Sequence, residues 1–440
     1  MLNASSIRPG DLFGFSVRVD SIVTSDFSSP GALALVGAPG YDRRRGRVHV
    51  FARNNASGCH KCPSSFCTAS WNEMTTITYA GSAQGDFFGS AIALTRPSSV
   101  EFLAVLAVSA PIANRVGQVY IYSQNSNRHT FDFLQILAPD APVGTCGINC
   151  RTQPLYGTSI AMSQDFLAVG CPLCLTTKGI SGAVYLYRWQ SGSRQYLRVQ
   201  LAQGDVTDVT YGLLVSSSLG PLSTHEGSSF GSSLSIHVSN GGTLTLAVAA
   251  MHCNYETVNS KVMSVGAVFI FFAEIVPFTG QLPLYVVQKQ VVSPMLAGMS
   301  VPQAEYSLGR SVSMSTDGKS LAVCGGVQHC RTLHIFHRVG PLDVFSYKSF
   351  EDFTVVKEGT LHASFHTASI SQDQVGIVGN PFYDGTSGAV FISSPVHLGF
   401  SGSALDPAVP AASNSNFDYE IRSPWLHFFY SAPVYNGTFY

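Results

Sequence analysis

The chain has 440 residues of which only 12% are charged, and its formal net charge of -1 provides no global field for nucleic acid or an anionic membrane surface. Glycine, with 41 residues, and aromatics at 11% fill the space, a mix suited to short half-buried strands and turns rather than helices. Mean hydropathy is +0.19, yet the most apolar run, Val265 to Phe272, is followed by Glu274 and is too short to span a membrane.

One pattern recurs along the chain. An aromatic residue followed by Gly opens an alternating strand, and a second apolar strand ends in Gly-Ala-Pro or a near match. A third strand of Val, Tyr and Phe then follows a Gly-containing loop. The first copy has Phe13-Gly14, Gly37-Ala38-Pro39 and Gly46 to Phe51; the second has Phe88-Gly89, Ser109-Ala110-Pro111 and Gly117 to Tyr122. The third has Tyr156-Gly157, Gly170-Cys171-Pro172 and Gly182 to Tyr187; the fourth has Phe230-Gly231, Ala249-Ala250-Met251 and Gly266 to Phe271. The fifth is looser, with Leu308-Gly309, Cys324-Gly325-Gly326 and Leu333 to Phe336. The sixth has Phe365-His366, Gly379-Asn380-Pro381 and Gly388 to Ile392, and the seventh has Phe417-Asp418, Ser431-Ala432-Pro433 and Asn436 to Tyr440.

A further strand is expected between copies, over Trp71 to Tyr79, Tyr196 to Leu201, Leu284 to Val292 and Phe353 to Leu361. Each unit then reads as a four-stranded antiparallel sheet that cannot bury its faces alone. Radial stacking buries both faces and leaves only short edges. The expectation is one domain over 1–440, an all-β, seven-bladed β-propeller closed by Met1 to Ser6 supplying the missing strand of the last blade.

Phe-Gly at the start of one strand and Gly-Ala-Pro at the end of the next resemble the FG-GAP repeat, which builds the seven-bladed propeller of integrin α chains. Several repeats of that family carry a calcium loop of three acidic residues. Here the corresponding loops, such as Thr24 to Ser29, Ser163-Gln164-Asp165 and Ser371-Gln372-Asp373, hold no more than one carboxylate each. One carboxylate cannot satisfy a hard dication needing six or more oxygens, so the chain resembles the calcium-free variety, with no metal and no cofactor expected.

In such a fold the Phe-Gly and Gly-Ala-Pro loops share one face, which the family uses for ligands. The first Gly-Ala-Pro loop carries Tyr41, Arg43, Arg44 and Arg45, and the second carries Arg115; Lys178 sits in the third. Arginine forks pair with planar anions, so these residues are candidates for a protein or glycan ligand; the competing reading is a solvated turn with surplus charge.

Ten cysteines are present. Cys146 and Cys150 lie in a Phe-Gly loop, and Cys171 and Cys174 lie in the Gly-Ala-Pro loop of the same copy. Disulfides are the first reading and a four-thiolate zinc site the alternative. Cys253 and Cys330 occupy equivalent loops of adjacent copies and are candidates to pair. Sequons at Asn3, Asn55 and Asn436 are candidate glycosylation sites. The first residues carry no basic or apolar leader pattern, while cysteines and sequons favour an extracellular or cell-surface setting, in part of a larger surface protein. No catalytic constellation can be assembled by spacing. The Gly-x-Ser-x-Gly match at Gly227 to Gly231 leads into a strand, whereas a nucleophile elbow leads into a helix. The function expected is therefore binding or adhesion, the alternative being an enzyme or its accessory domain with a site in the central channel or on another domain.

Overall fold

The computed structural model describes residues 7–8, 10–23, 30–54, 70–97, 104–124, 130–139, 153–208, 210, 212–216, 222–223, 225, 227–257, 260–275, 283–299, 303–326, 332–352, 367–370, 376–380, 389–393 and 417–422. These residues form an all-β propeller with four-stranded antiparallel blades. The first sheet runs Ser16–Val23, Pro30–Ala38, Arg47–Asn54 and Ser70–Ile77 in simple meander order. The second runs Ile92–Thr95, Val105–Ala110, Gln118–Gln124 and Phe131–Leu137. The fourth runs Phe230–Val238, Thr243–Ala250, Ala267–Glu274 and Val286–Val292. The fifth runs Ser311–Met314, Ser320–Gly325, Thr332–His337 and Ser346–Asp352. The sixth runs Thr367–Ile370, Gly376–Asn380, Ala389–Ser393 and Phe417–Arg422.

The third sheet has six strands. Its first three, Ile160–Ser163, Phe166–Cys171 and Ala183–Gln190, follow the common order. Its outer position is split: Gln195–Arg198 pairs with Tyr187 to Gln190, whereas Leu214 sits opposite Val184. A small three-stranded sheet pairs Leu222–Ser223, ahead of the fourth sheet, with Asn254–Glu256 and Lys261–Val262 from the loop between the second and third strands of that sheet.

The second strands are buried at every position in the second to fifth sheets, which is why they are mostly apolar on both faces, with only small polar residues such as Ser109, Thr245 and Ser320 among them. Both their faces meet a neighbouring sheet. The apolar clusters accordingly lie between successive sheets: first and second around Phe88 and Tyr120, second and third around Tyr156 and Tyr185, third and fourth around Phe230 and Phe269, fourth and fifth around Leu308 and Phe336. First strands of successive sheets lie against one another, as the inner strands of a propeller do. In all five four-stranded sheets the pairing of third with fourth strand shifts register once, at Val50/Phe51, Ile121/Tyr122, Ile270/Phe271, Ile335/Phe336 and Ile392/Ser393. Such a bulge adds local twist to the outer strand.

Three expectations are corrected. Where seven copies predict seven blades, the described residues form five four-stranded blades and the six-stranded sheet. Phe417–Arg422 does not open a seventh sheet; it pairs with Ala389–Ser393 as the outer strand of the sixth. An alternating apolar segment fits an outer position as well as an inner one, and only pairing separates the two. The outer strand of the fifth sheet is Ser346–Asp352 rather than Phe353 to Leu361. Residues 1–6, expected to close the ring, lie outside the described residues, as do 423–440.

Candidate ligand-binding loops

The repeat signature is an inter-sheet joint. Gly46 pairs in parallel with Phe88 of the next sheet, Gly182 with Phe230 and Gly266 with Leu308. The residue before each of these glycines accepts from the next aromatic or Leu N–H: Arg45 O from Phe88, Ser181 O from Phe230, and Val265 O from Leu308, at 3.0–3.1 Å. Val116 O accepts from Tyr156 in the same way. A Cβ at Gly46, Gly117, Gly182 or Gly266 would lie 2.0–2.3 Å from the next segment's backbone. The close approach therefore demands Gly at this position.

The joint also fixes the loops it anchors. The residue ahead of each aromatic-Gly pair is left-handed without being Gly: Leu12, Phe87, Leu155, Ser229 and Ser307 have φ between 50° and 58°. Each such residue costs about 1–2 kcal/mol of backbone strain, offset by burial of the following side chain, with Phe88, Tyr156, Phe230 and Leu308 all at 0% exposure. Complete burial of a large apolar side chain contributes roughly 1.5–3 kcal/mol.

Within this frame Tyr41–Arg44 forms a single helical turn in name only, since Asp42 and Arg43 have φ of 46° and 58°. Arg44 follows at 69°. The loop of the second sheet repeats this geometry, with Asn114 and Arg115 at 53° and 65°. Counting back from Gly46 and Gly117, Arg44 and Arg115 hold the same position. The structure thus presents the two arginines on equivalent turns of adjacent sheets, and all of Arg43, Arg44, Arg45 and Arg115 are exposed.

Their neighbours differ. Arg45 pairs with Asp42 at 3.1 Å, each side chain half exposed, an arrangement worth little in water. The Arg44 guanidinium lies 5.5 Å from the Phe87 ring centroid. Tyr41 is engaged by Arg47, which the sequence left inside a strand: its guanidinium stacks 3.6 Å from the ring centroid and donates to the Tyr41 hydroxyl at 2.6 Å. Among the described residues, no ion pair or side-chain hydrogen bond engages the Arg43 or Arg115 guanidinium. Lys178 is tied down instead, donating to Ser216 O at 2.8 Å, and burial lowers its pKa while Asp208 opposes the change.

Cys171 and Cys174 are disulfide-bonded to each other within their own loop, Cα atoms 5.3 Å apart. Cys324 is also disulfide-bonded. Cys253, expected to pair with Cys330, instead carries a buried thiol, its pKa pushed up to about 12 by burial first and by Glu256 second. Cys146, Cys150, Asn3, Asn55 and Asn436 lie outside the described residues. Among the described residues, no group of three or more His, Cys, Asp or Glu is placed to hold a metal ion, and no helix is long and apolar enough to cross a membrane. Phe230, at the Gly-x-Ser-x-Gly match, begins a strand.

No family model matches the chain, and no curated protein matches it. Solved structures similar to it include Sqt1 of Saccharomyces cerevisiae, at 10% identity over 88% of this chain and 83% of that one, with a TM-score of 0.38. A protein from Lactobacillus plantarum matches at 11% identity over 86% and 78%, TM-score 0.42. An α-L-arabinofuranosidase from Fusarium graminearum, solved with an iminosugar inhibitor, matches at 7% identity over 83% and 87%, TM-score 0.40. These similarities span enzymes and non-enzymes and assign this chain no ligand.

Proposed function

We propose that the chain is an extracellular or cell-surface binding module of the FG-GAP type, part of a larger surface protein, that engages an anionic group on a protein or glycan. Tyr41, Arg43, Arg44, Arg45 and Arg115 contact the ligand. The observation that carries this reading is the pair of equivalent left-handed turns presenting Arg44 and Arg115. Adjacent forks on a frame set by backbone pairing can bind one planar or tetrahedral anion without reordering the loop. Arg47 positions Tyr41 through its stack and hydrogen bond. The Cys171–Cys174 bond supports an oxidising compartment.

The test is a screen of sulfated, sialylated and neutral glycans, together with acidic peptides, against the native chain. The variant carrying Arg43→Ala, Arg44→Ala, Arg45→Ala and Arg115→Ala should lose at least about tenfold in affinity for whichever anionic ligand scores, since charge-assisted bonds contribute roughly 1.5–3 kcal/mol each. Equal binding by the variant would sink the proposal.

A further inference from the structure

The first of the two arginine-bearing loops contains an acid and the second does not. Asp42 stands four places before Gly46 and Arg45 one place before it; the matching positions ahead of Gly117 are Ala113 and Val116. The Arg45 Nη1 donates to Asp42 Oδ2 at 3.1 Å, and each side chain is half exposed.

The turn does not need this carboxylate. Its backbone closes on itself, the Arg44 N–H donating to Gly40 O and the Gly46 N–H to Tyr41 O, both at 3.0 Å. Other acids in the loops are structural in a way that Asp42 is not. Asp11, Asp86 and Asp208 are buried, and their carboxylates accept from the backbone N–H of Arg8, Ala83 and Thr177 at 2.6–2.8 Å. Among the described residues, no backbone N–H donates to the Asp42 side chain, and its carboxylate is held by Arg45. An exposed pair of this kind is weak and exchanges readily for another anion. The Asp42 carboxylate thus occupies, on the Arg45 fork, the place that an incoming oxyanion takes. A ligand must displace it or bind beside a like charge, and either lowers affinity.

Building on the anion-binding reading of these loops, we propose that Asp42 is a built-in competitor that occupies Arg45 in the free chain and yields it to a ligand carboxylate or sulfate. Arg43 and Arg115 have no such competitor and make the first contact. Arg45 joins once the ligand anion has replaced Asp42, so the acid sets the threshold of the site.

The experiment measures binding of a hexaglutamate peptide, and separately of a sulfated hexasaccharide, to the full chain by titration calorimetry; whichever binds names the source of the anion. The variants are Asp42→Asn, Arg45→Ala and the two combined. Asn tolerates positive φ as Asp does, so the turn is kept, and an unchanged thermal midpoint checks this. Asp42→Asn should tighten binding about two- to fivefold, the range of an exposed ion pair. The gain should fall below about 1.5-fold when Arg45 is already Ala, because the competition acts through that fork. Equal or weaker binding by Asp42→Asn, or the same gain in the Arg45→Ala background, would overturn the competitor role while leaving the anion site in place. Absence of binding by both the native chain and Asp42→Asn, with either probe, would overturn the anion site itself and the competitor with it.

Discussion

Gly117 offers the sharpest test of the inter-sheet joint. Its φ is +94°, and an added Cβ would stand 2.1 Å from Tyr156 O and 2.9 Å from Pro111 O. The neighbour at the closer contact is backbone, so the joint must open by about 1.3 Å to reach an ordinary separation of 3.4 Å. Opening it strains the bond from the Tyr156 N–H to Val116 O, now 3.1 Å, worth about 1 kcal/mol net. It also disturbs fully buried Tyr156, whose hydroxyl meets that of Tyr187 at 2.8 Å. With about 1–2 kcal/mol for a Cβ at positive φ, Gly117→Ala should cost about 3–5 kcal/mol, a large part of the roughly 5–15 kcal/mol that holds a domain folded. Gly81 is the control: its φ is +91°, yet nothing lies within 4 Å of an added Cβ. Gly81→Ala should therefore cost only the backbone term, about 1–2 kcal/mol. Urea unfolding of both variants, read by tryptophan fluorescence, measures the difference. Equal losses would refute the close-approach account and leave backbone conformation as the only reason for glycine at the joint.

Other packing devices give further expectations. Arg338, 2% exposed, donates to Gly318 O, Pro341 O and Thr245 Oγ1 and lies over the Phe345 and Phe272 rings; Arg338→Met should cost about 2–4 kcal/mol in thermal unfolding, and Arg338→Lys should not restore it because the fork is lost. Gln135 clasps the next sheet by donating to Tyr196 O and accepting from its N–H at 3.0 and 2.9 Å; Gln135→Ala should cost about 1–2 kcal/mol and speed hydrogen exchange at Tyr196. His334 is 3% exposed and accepts from, or donates to, the Tyr306 hydroxyl at 2.6 Å, and burial lowers its pKa to about 4. The folded state resists protonation that the unfolded chain accepts near pH 6.5. Its contribution is thus fully present above pH 6.5 and is lost as pH falls to about 4, by roughly 3 kcal/mol. Chemical denaturation across that window should show a shallower decline in His334→Gln, and an unchanged slope would assign the decline to other groups.

The blades were legible because their residues are repetitive at the scale where strands form. The repeat places a second apolar strand ending at Ala110 and at Ala250, and the strands found there, Val105–Ala110 and Thr243–Ala250, are buried throughout. Phe417–Arg422 was misplaced because its alternation carries no address: the same pattern serves the inner or the outer edge of a sheet, and pairing partners decide. The exposed arginines of the first two loops could be found by charge alone. Arg47 could not, since its stack on Tyr41 depends on the turn between them rather than on spacing. The left-handed residues were hidden for a different reason: Leu12, Phe87 and Leu155 are poor choices for positive φ, so local preference argues against the conformation that the joint imposes.

That imposed conformation explains how one frame can carry unlike surfaces. At each joint the glycine and the buried aromatic or Leu are held by backbone contacts too close for any side chain at the glycine. In the first, second and fourth loops the residue two places before that glycine is left-handed with φ between 51° and 69°: Arg44, Arg115 and Ser264, of which the two arginines are exposed. A charge change there alters neither the buried contact nor the parallel bridge. Substitution at Arg44 or Arg115 should therefore alter binding with little effect on stability, whereas substitution at Gly46 or Gly117 should do the reverse. The comparison of Arg115→Ala with Gly117→Ala, two residues apart in one loop, separates the two roles directly. A stability loss above about 1 kcal/mol for Arg115→Ala, beyond the usual range for an exposed site, would mean that the turn depends on its side chain and that the division between frame and surface does not hold.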